Sequence, residues 1–458
     1  MNGERGAEGT PPWSEGAVRA ALELPTEGGR APLVFSGIST DTRTLSPGAL
    51  FVALKGERFD GHQHLAAAAT AGATAAVVRP GTAPIPGLVL LEVPDPLRAY
   101  GDLARARRRA VPGPVIGVTG TNGKTSTKEM LGAVLRTRWR THATRANLNN
   151  LVGVPATILE APADTEALVV EAGANLPGEI ARYREIIEPS AAVVTNAVAG
   201  HLEGFGSLAG VLAEKLSLVR DVPLAVVGPR PPELAAGARR LARRVVTAGL
   251  EGAERVPERV ALDELGRAVV EVEGRRFALP YPGRHLAENA MLAWTLAREL
   301  GLDPAAGASA LERVILPGGR SELRREGRLT VLNDCYNANP DSFRAAIATA
   351  RELRRGRRLV FVAGTMRELG AESARLHADV AAELVALSPD LLAVVGDFVA
   401  ALAPYADRLG ERLVGAPDAP AIGPLVADRL RGDEVIVLKA SRGVALERIL
   451  PHLLARAH

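Results

Sequence analysis

The chain has 458 residues, of which 47% are hydrophobic and 23% charged, enough for a sizeable core and for two to four folded domains. With a net charge of +3 and 3% aromatic residues, basic patches interleaved with aromatics are no global feature, which argues against single-stranded nucleic-acid binding, and no motif supports a nucleic-acid partner. The single cysteine, Cys335, excludes an intrachain disulfide and a cysteine-rich zinc site.

The opening stretch MNGERGAEGTPPWSEG places glycine, proline and acids where a signal peptide needs a basic start and an apolar run. No apolar run approaches the ~18 residues of a membrane span. A soluble, cytoplasmic protein without membrane insertion is expected, acting as a monomer.

In chain order, LVFSGISTDTRTLSPGALFVALKG predicts short strands broken by turns, followed by an alanine-rich helix and the strand TAAVV. A small α/β domain over residues 1–110 fits. RRRAVPGP, Arg107 to Pro114, combines charge, proline and glycine and reads as a linker. The arginine clusters Arg105 to Arg109 and Arg354 to Arg358 read as solvated helix faces.

From Val115 strand and helix alternate. PVIGVTG, EALVVEAGA and SAAVVTNA are apolar runs ending in small residues, suited to central parallel strands covered on both faces. Ligands in such sheets sit beyond the carboxyl ends of the strands, and here those ends carry Lys124, Glu171 and Asn196, with His201 close behind. Residues 223–280 look less regular. After LPGGRSE the alternation resumes with RLTVLNDCYNANP, RLVFVAGTM, LLAVVGD and DEVIVLKASRG, a second doubly wound domain. The expected architecture is α/β in three domains: a small α/β domain (1–110), a central P-loop parallel-sheet domain (111–317) and a C-terminal Rossmann-like domain (318–458).

VIGVTGTNGKTSTKEML reads as strand, glycine turn and helix. The strict phosphate-loop pattern puts four residues between its glycines, whereas only Thr121 and Asn122 separate Gly120 from Gly123. The bland alternative is a glycine turn with an exposed lysine. The strand before and the helix after favour a nucleotide site: permissive glycines, a helix N-terminus, Lys124 for the β- and γ-phosphates, and the Thr125 hydroxyl for Mg²⁺. Glu171 suits Mg²⁺ at a strand end. His201 lies between glycines, as a ligand-proximal loop would have it. Lys215, taken alone, is a snorkelling surface lysine.

GVTGTNGKTSTKEML, NLNNLVGVPATIL, EAGANLPGEI, TNAVAGHLEGFGS, GRHLAENAMLA, CYNANPDSFRAAI and MRELGAESARLH occur in one order, and together they resemble the Mur ligases, ATP-dependent amide-forming enzymes of peptidoglycan synthesis. The resemblance spans STDTRTLSPGALFVALKGERFDGH to KASRG, and the family's phosphate loop has this short form. YNANPDS with NLNN and RELG resembles the branch that adds D-alanyl-D-alanine to a UDP-N-acetylmuramoyl-tripeptide.

The resemblance implies that Gly120, Thr121, Asn122, Gly123, Lys124, Thr125 and Ser126 hold ATP phosphates. It implies Asn289 at the adenine, Arg320 at the phosphates and Asp334 at the ribose. Thr125, Glu171, His201 and a carbamylated Lys215 match Mg²⁺ positions, and Lys124, Lys215 and His201 the catalytic set. Thr42 and Arg43 would meet the uridine diphosphate end, and Asn147, Asn149 and Asn150 the muramoyl substrate. Tyr336, Asn337, Asn339 and Ser342 lie in the loop expected to meet the dipeptide. Val198, Gly200, Thr365, Ala440, Asn333 and Cys335 depart from the family's usual residues. Alternatives are the sister ligase that adds the third, diamino residue of the stem, a folylpolyglutamate synthase, and a non-ligase P-loop ATPase or nucleotide sensor. The amide-rich YNANPDS weighs against the sister enzyme and STDTR against the synthase. The Glu171, His201, Lys215 and Asn289 set weighs against the ATPase.

Overall fold

The computed structural model describes residues 10–26, 30–57 and 59–456. Residues 1–9, on which the reading against a signal peptide mainly rests, lie outside the described residues. The chain divides into two compact units, Met1–Val118 with Arg138–Ala174 and Gly178–Ala192, and Thr119–Thr137 with Asn175–Pro177 and Val193–His458.

In the first unit, strands Ile38–Ser39, Leu50–Val52, Ala75–Val78 and Val89–Glu92 form a parallel sheet in that order. Phe51, Ala53, Ala76 and Val78 pack against Leu65 and Ala68. Burying side chains of this kind contributes about 1.5–3 kcal/mol for each large one. Helix Pro96–Arg109 begins at Asp95, whose carboxylate accepts from Leu97 and Arg98 N–H, with proline at the first turn where no N–H is needed.

That helix corrects two expectations. It runs through Arg109, so only Ala110 to Pro114 remain as a connection. Its arginines are not a solvated face. Arg107 is buried and donates to the carbonyls of Ala161 and Pro162, and Arg108 donates to those of Ile187 and Glu188. Arg105 and Arg109 each pair with Glu188 at 2.6 Å. Cations gathered at the end of helix Glu179–Ile187 meet its unpaired carbonyls and the negative end of its dipole. The second cluster behaves alike: Arg357 donates to the Arg328, Asp433 and Glu434 carbonyls, and Arg358 pairs with buried Glu434.

The central sheet has six strands in the order Val245–Thr247, Leu224–Val227, Ala191–Val194, Val115–Thr119, Ala167–Glu171 and Thr141–Ala143. Val115–Thr119 and Ala167–Glu171 are parallel and wholly buried, with Val118 in register with Glu171. The chain moves first to one side of Val115–Thr119 and then to the other. The loop that follows this strand therefore sits where strand order reverses, the usual ligand crevice of open α/β sheets.

In the second unit, residues 223–280 prove regular. Strands Arg259–Leu262, Arg267–Val272 and Arg275–Pro282 form an antiparallel sheet. The middle strand alternates half-buried and buried residues, a period-2 pattern that Arg267 and Glu271 obscure in the sequence. Helix Arg284–Glu299 packs on helix Lys124–Leu135, and Trp294 stacks on Phe277 at 5.7 Å. The last sheet runs Glu322–Glu326, Leu329–Asp334, Val435–Lys439, Leu359–Ala363, Leu391–Val395 and Leu413–Ala416, antiparallel at its first edge and parallel beyond. Phe343, Phe361 and Phe398 fill one face and Ile422, Ile436 and Leu446 the other. No helix among the described residues is long and apolar enough to cross a membrane.

Candidate active site

The loop after Val115–Thr119 is shaped by two glycines and a pair of polar side chains. Gly120 has φ +145° and Gly123 φ +78°, conformations that favour glycine. A Cβ on Gly120 would overlap the Thr195 hydroxyl, and one on Gly123 the Asn289 amide. Thr121 N–H donates to the Asn196 carbonyl at 3.0 Å and Asn122 N–H to Asn196 Oδ1 at 3.0 Å. The Thr195 hydroxyl and Asn196 Nδ2 both donate to the Asn122 carbonyl. Helix Lys124–Leu135 starts from Gly123 with no side-chain cap, and the positive end of a helix of this kind suits an anion. Lys124 Nζ folds over the loop, donating to the Gly120 carbonyl at 2.8 Å and the Thr121 carbonyl at 3.0 Å. Thr125 and Ser126 are buried beneath it.

His201, at φ +54°, stands at the start of a short helical turn with Nδ1 2.6 Å from Glu368 Oε2. The His201 hydrogen bond, and then the charges of His201, Lys124 and Arg367, hold the Glu368 carboxyl below the usual range. Lys215, on helix Leu208–Leu216, is fully buried, with Nζ 5.3 Å from the Phe205 ring centre. The snorkelling reading is thereby overturned.

A third group follows Leu329–Asp334. Asp334 Oδ2 pairs with Lys439 Nζ at 2.6 Å, and its Oδ1 accepts from Ser321 N–H at 3.1 Å. Lys439 also donates to the Asn337 carbonyl. The Arg320 guanidinium lies 3.7 Å from the Tyr336 ring centre, a cation–π stack that leaves its planar fork oriented. Asn337 is exposed, with Oδ1 accepting from Ala338 N–H. Asn339 caps helix Pro340–Arg354 in a reciprocal box with Ser342.

In the first unit, buried Glu171 accepts from Asn149 Nδ2 at 2.9 Å, and its N–H donates to Thr144. Asn150 Oδ1 accepts from Val152 and Gly153 N–H, starting helix Gly153–Leu159, and Asn147 is exposed. Thr42 is half-buried. Arg43 is exposed and pairs with Asp41 at 2.6 Å, drawing the Asp41 carboxyl down to about 2.

The residues fit an anionic nucleotide with Mg²⁺. The glycine cradle leaves no room for a Cβ, and the helix above it has no side-chain cap. Among the described residues no group of three His, Cys, Asp or Glu side chains could cage a metal. Mg²⁺ keeps waters and substrate phosphates as ligands and needs only one or two protein oxygens, a demand that a hydroxyl such as that of Thr125 is suited to meet.

Three Mur ligase models match in succession: "Mur ligase family, catalytic domain" over residues 34–108, "Mur ligase middle domain" over 118–297 and "Mur ligase, glutamate ligase domain" over 319–442. The UDP-N-acetylmuramoyl-tripeptide–D-alanyl-D-alanine ligase of Escherichia coli is 36% identical, covering 92% of this chain and 94% of the relative. The chain belongs to the Mur ligase family. MurF from Acinetobacter baumannii superposes with a TM-score of 0.86 at 28% identity, covering 97% of this chain and 99% of that one. MurF from Thermotoga maritima, solved in complex with ADP, gives 0.80 at 27% identity over 92% and 97%. The three-domain Mur ligase architecture expected from the sequence is thus established, with its parallel sheets and mixed α/β layers.

Within this Mur ligase, the second unit holds Lys124, Thr125, His201, Lys215, Asn289, Arg320, Asp334 and Asn339, and the first holds Glu171, Asn149, Thr42 and Arg43. Sequence reasoning passed over Glu368 and Lys439, although RELG and KASRG were in view. It noted Asn196 at a strand end without giving it a role. Each shows its partner only once strands far apart in sequence lie side by side.

Proposed function

We propose that this Mur ligase joins D-alanyl-D-alanine to UDP-N-acetylmuramoyl-tripeptide, giving the pentapeptide, ADP and phosphate in peptidoglycan precursor synthesis. The observation that carries the reading is the phosphate loop of Gly120 to Ser126, with the Asn337–Asn339 acceptor loop joined to it through Asn122. Relatives bearing the D-alanyl-D-alanine ligase name at 33% and 36% identity, each covering 92% of the chain, support the choice of substrates.

A carboxylate is a poor electrophile, so the tripeptide carboxylate first attacks the γ-phosphorus of ATP. The bond from that phosphorus to the β–γ bridging oxygen breaks, and ADP leaves an acyl phosphate. The dipeptide amine then attacks the carbonyl carbon, and phosphate departs from the tetrahedral intermediate with loss of one proton. Lys124 and the loop amides from Gly120 to Ser126 offset the repulsion between carboxylate and triphosphate. Bound Mg²⁺ supplies further charge neutralisation, with Thr125, Glu171, His201 and a carbamylated Lys215 assigned as its protein donors. Carbamylation turns a buried cation into an oxygen donor suited to a hard metal.

We assign Asn289 to the adenine, Arg320 to the phosphates and Asp334 to the ribose. Asn147, Asn149 and Asn150 are assigned to the muramoyl group, and Thr42 and Arg43 to the diphosphate. Tyr336, Asn337 and Ser342 border the dipeptide. Residues 1–110, 111–317 and 318–458 are assigned to the UDP-muramoyl substrate, to ATP and to the dipeptide. The enzyme acts in the cytoplasm, where nucleotide substrates are supplied, as a monomer. The test is phosphate release and product mass with ATP, Mg²⁺ and UDP-muramoyl-tripeptide. Release should require D-alanyl-D-alanine. Release that instead requires a free diamino acid with UDP-muramoyl-dipeptide identifies the sister ligase and overturns the proposal.

A further inference from the structure

Asn122 and Asn339 are 217 positions apart and exchange two hydrogen bonds. Asn339 Nδ2 donates to Asn122 Oδ1 at 2.7 Å, and Asn122 Nδ2 donates to Asn339 Oδ1 at 3.1 Å. Asn339 is only 6% exposed, and the same Oδ1 accepts from Ser342 N–H at 2.9 Å. Both acceptor positions of that oxygen are therefore filled. An incoming dipeptide finds no acceptor there.

The other end of the pair is equally constrained. Asn122 N–H is committed to Asn196 Oδ1, and the Asn122 carbonyl to Thr195 and Asn196. The Asn122 side chain extends from the phosphate loop to the acceptor loop. A Cβ on Gly200 would come within 3.4 Å of Asn339 Nδ2, so the chain after Ala191–Val194 also closes around this amide.

We infer that Asn339 is a positioning residue for the phosphate loop. Its amide pair holds Asn122, and through it the Gly120 to Ser126 amides, in the phosphate-receiving shape when the acceptor loop is seated. Nucleotide binding and seating of the acceptor loop are then coupled, and by linkage each strengthens the other. Nucleotide thus binds best to a chain already arranged for the amine acceptor. The inference rests on the reading of Gly120 to Ser126 as the ATP loop.

Asn339→Ser is the discriminating variant, because serine caps a helix about as well as asparagine and so preserves Pro340–Arg354 while deleting both cross-loop bonds. Asn122→Ser deletes the same bonds from the other side without touching the cap. The probe is Mg·ADP, titrated calorimetrically in the full chain. Each single variant should weaken ADP about tenfold, the scale of two amide hydrogen bonds, and the double variant no further. By the same linkage the KM for D-alanyl-D-alanine at saturating ATP should rise by no more than the loss in ADP affinity and by an equal factor in Asn122→Ser and Asn339→Ser, whereas a direct dipeptide contact would raise it in Asn339→Ser alone. A raised dipeptide KM with unchanged ADP affinity makes Asn339 a direct dipeptide contact and overturns the inference. Additive losses in the double variant, or none in either single one, also overturn it. Failure of the wild-type chain to bind ADP overturns the nucleotide reading itself, a result the variants alone cannot imitate.

Discussion

Replacing Gly123 by alanine separates two costs that the loop combines. At φ +78° an alanine is strained by about 1–2 kcal/mol wherever it stands. Here its Cβ also falls inside the 3.0 Å that real Cβ contacts keep, against the end of the Asn289 side chain. Asn289 is buried and can yield only by turning its amide out of the position assigned to the adenine. Losing one or two hydrogen bonds there, with the loop amides shifted, costs about 1.4–2.8 kcal/mol, ten- to a hundredfold in kcat/KM for ATP. Gly301, just past the helix that carries Asn289, is the control, since it has φ +72° with nothing within 4 Å. Both variants should lower thermal stability by a similar few degrees in calorimetry, and only Gly123→Ala should lose activity in a phosphate-release assay. A Gly123→Ala enzyme with wild-type kcat/KM for ATP would refute the close approach of helix Arg284–Glu299 to the loop as a requirement for nucleotide binding.

Burial pushes the Cys335 thiol far up, so native protein should resist iodoacetamide at neutral pH and label fully in guanidinium. Rapid native labelling would contradict that burial. Arg30, the Leu33 N–H and Arg19 hold the Glu15 carboxyl down to about 2. A lowered carboxyl stabilises the fold above its unfolded value, near 4.5, and loses that contribution as pH falls toward 2. Glu15→Gln should therefore cost about 1–2 kcal/mol in urea unfolding at pH 7, with the gap to wild type narrowing below pH 4.5. A gap independent of pH would exclude the charge as its source. In ¹³C-bicarbonate the enzyme should show a carbamate carbon resonance that Lys215→Arg lacks, and the same variant should be inactive. An active Lys215→Arg enzyme would remove Lys215 from the metal site.

How much of this was readable in the sequence depended on how local each signal was. Val115–Thr119, the glycines and Lys124 form one continuous stretch, and the apolar strands of both large sheets are local runs. These were legible from periodicity and turn chemistry. Strand Arg267–Val272 was not, because charged residues on its half-buried face masked the alternation. The arginine helix was misread for a related reason: composition shows four arginines within five positions but not the carbonyls of residues 161, 162, 187 and 188 that receive two of them. The Glu368–His201 and Asn122–Asn339 pairs join segments 167 and 217 positions apart, a relation that no local pattern encodes. Lys215 shows the converse case. A lysine among leucines looks alike in sequence whether it snorkels or is buried.

The central claim is the ligation of the dipeptide, and the most direct measurement is phosphate release with ATP, Mg²⁺ and UDP-muramoyl-tripeptide, followed by the mass of the product. Release that depends on D-alanyl-D-alanine, matched mole for mole by pentapeptide, is the expected result. Phosphate released at the same rate without any amine acceptor, and no pentapeptide, would contradict it.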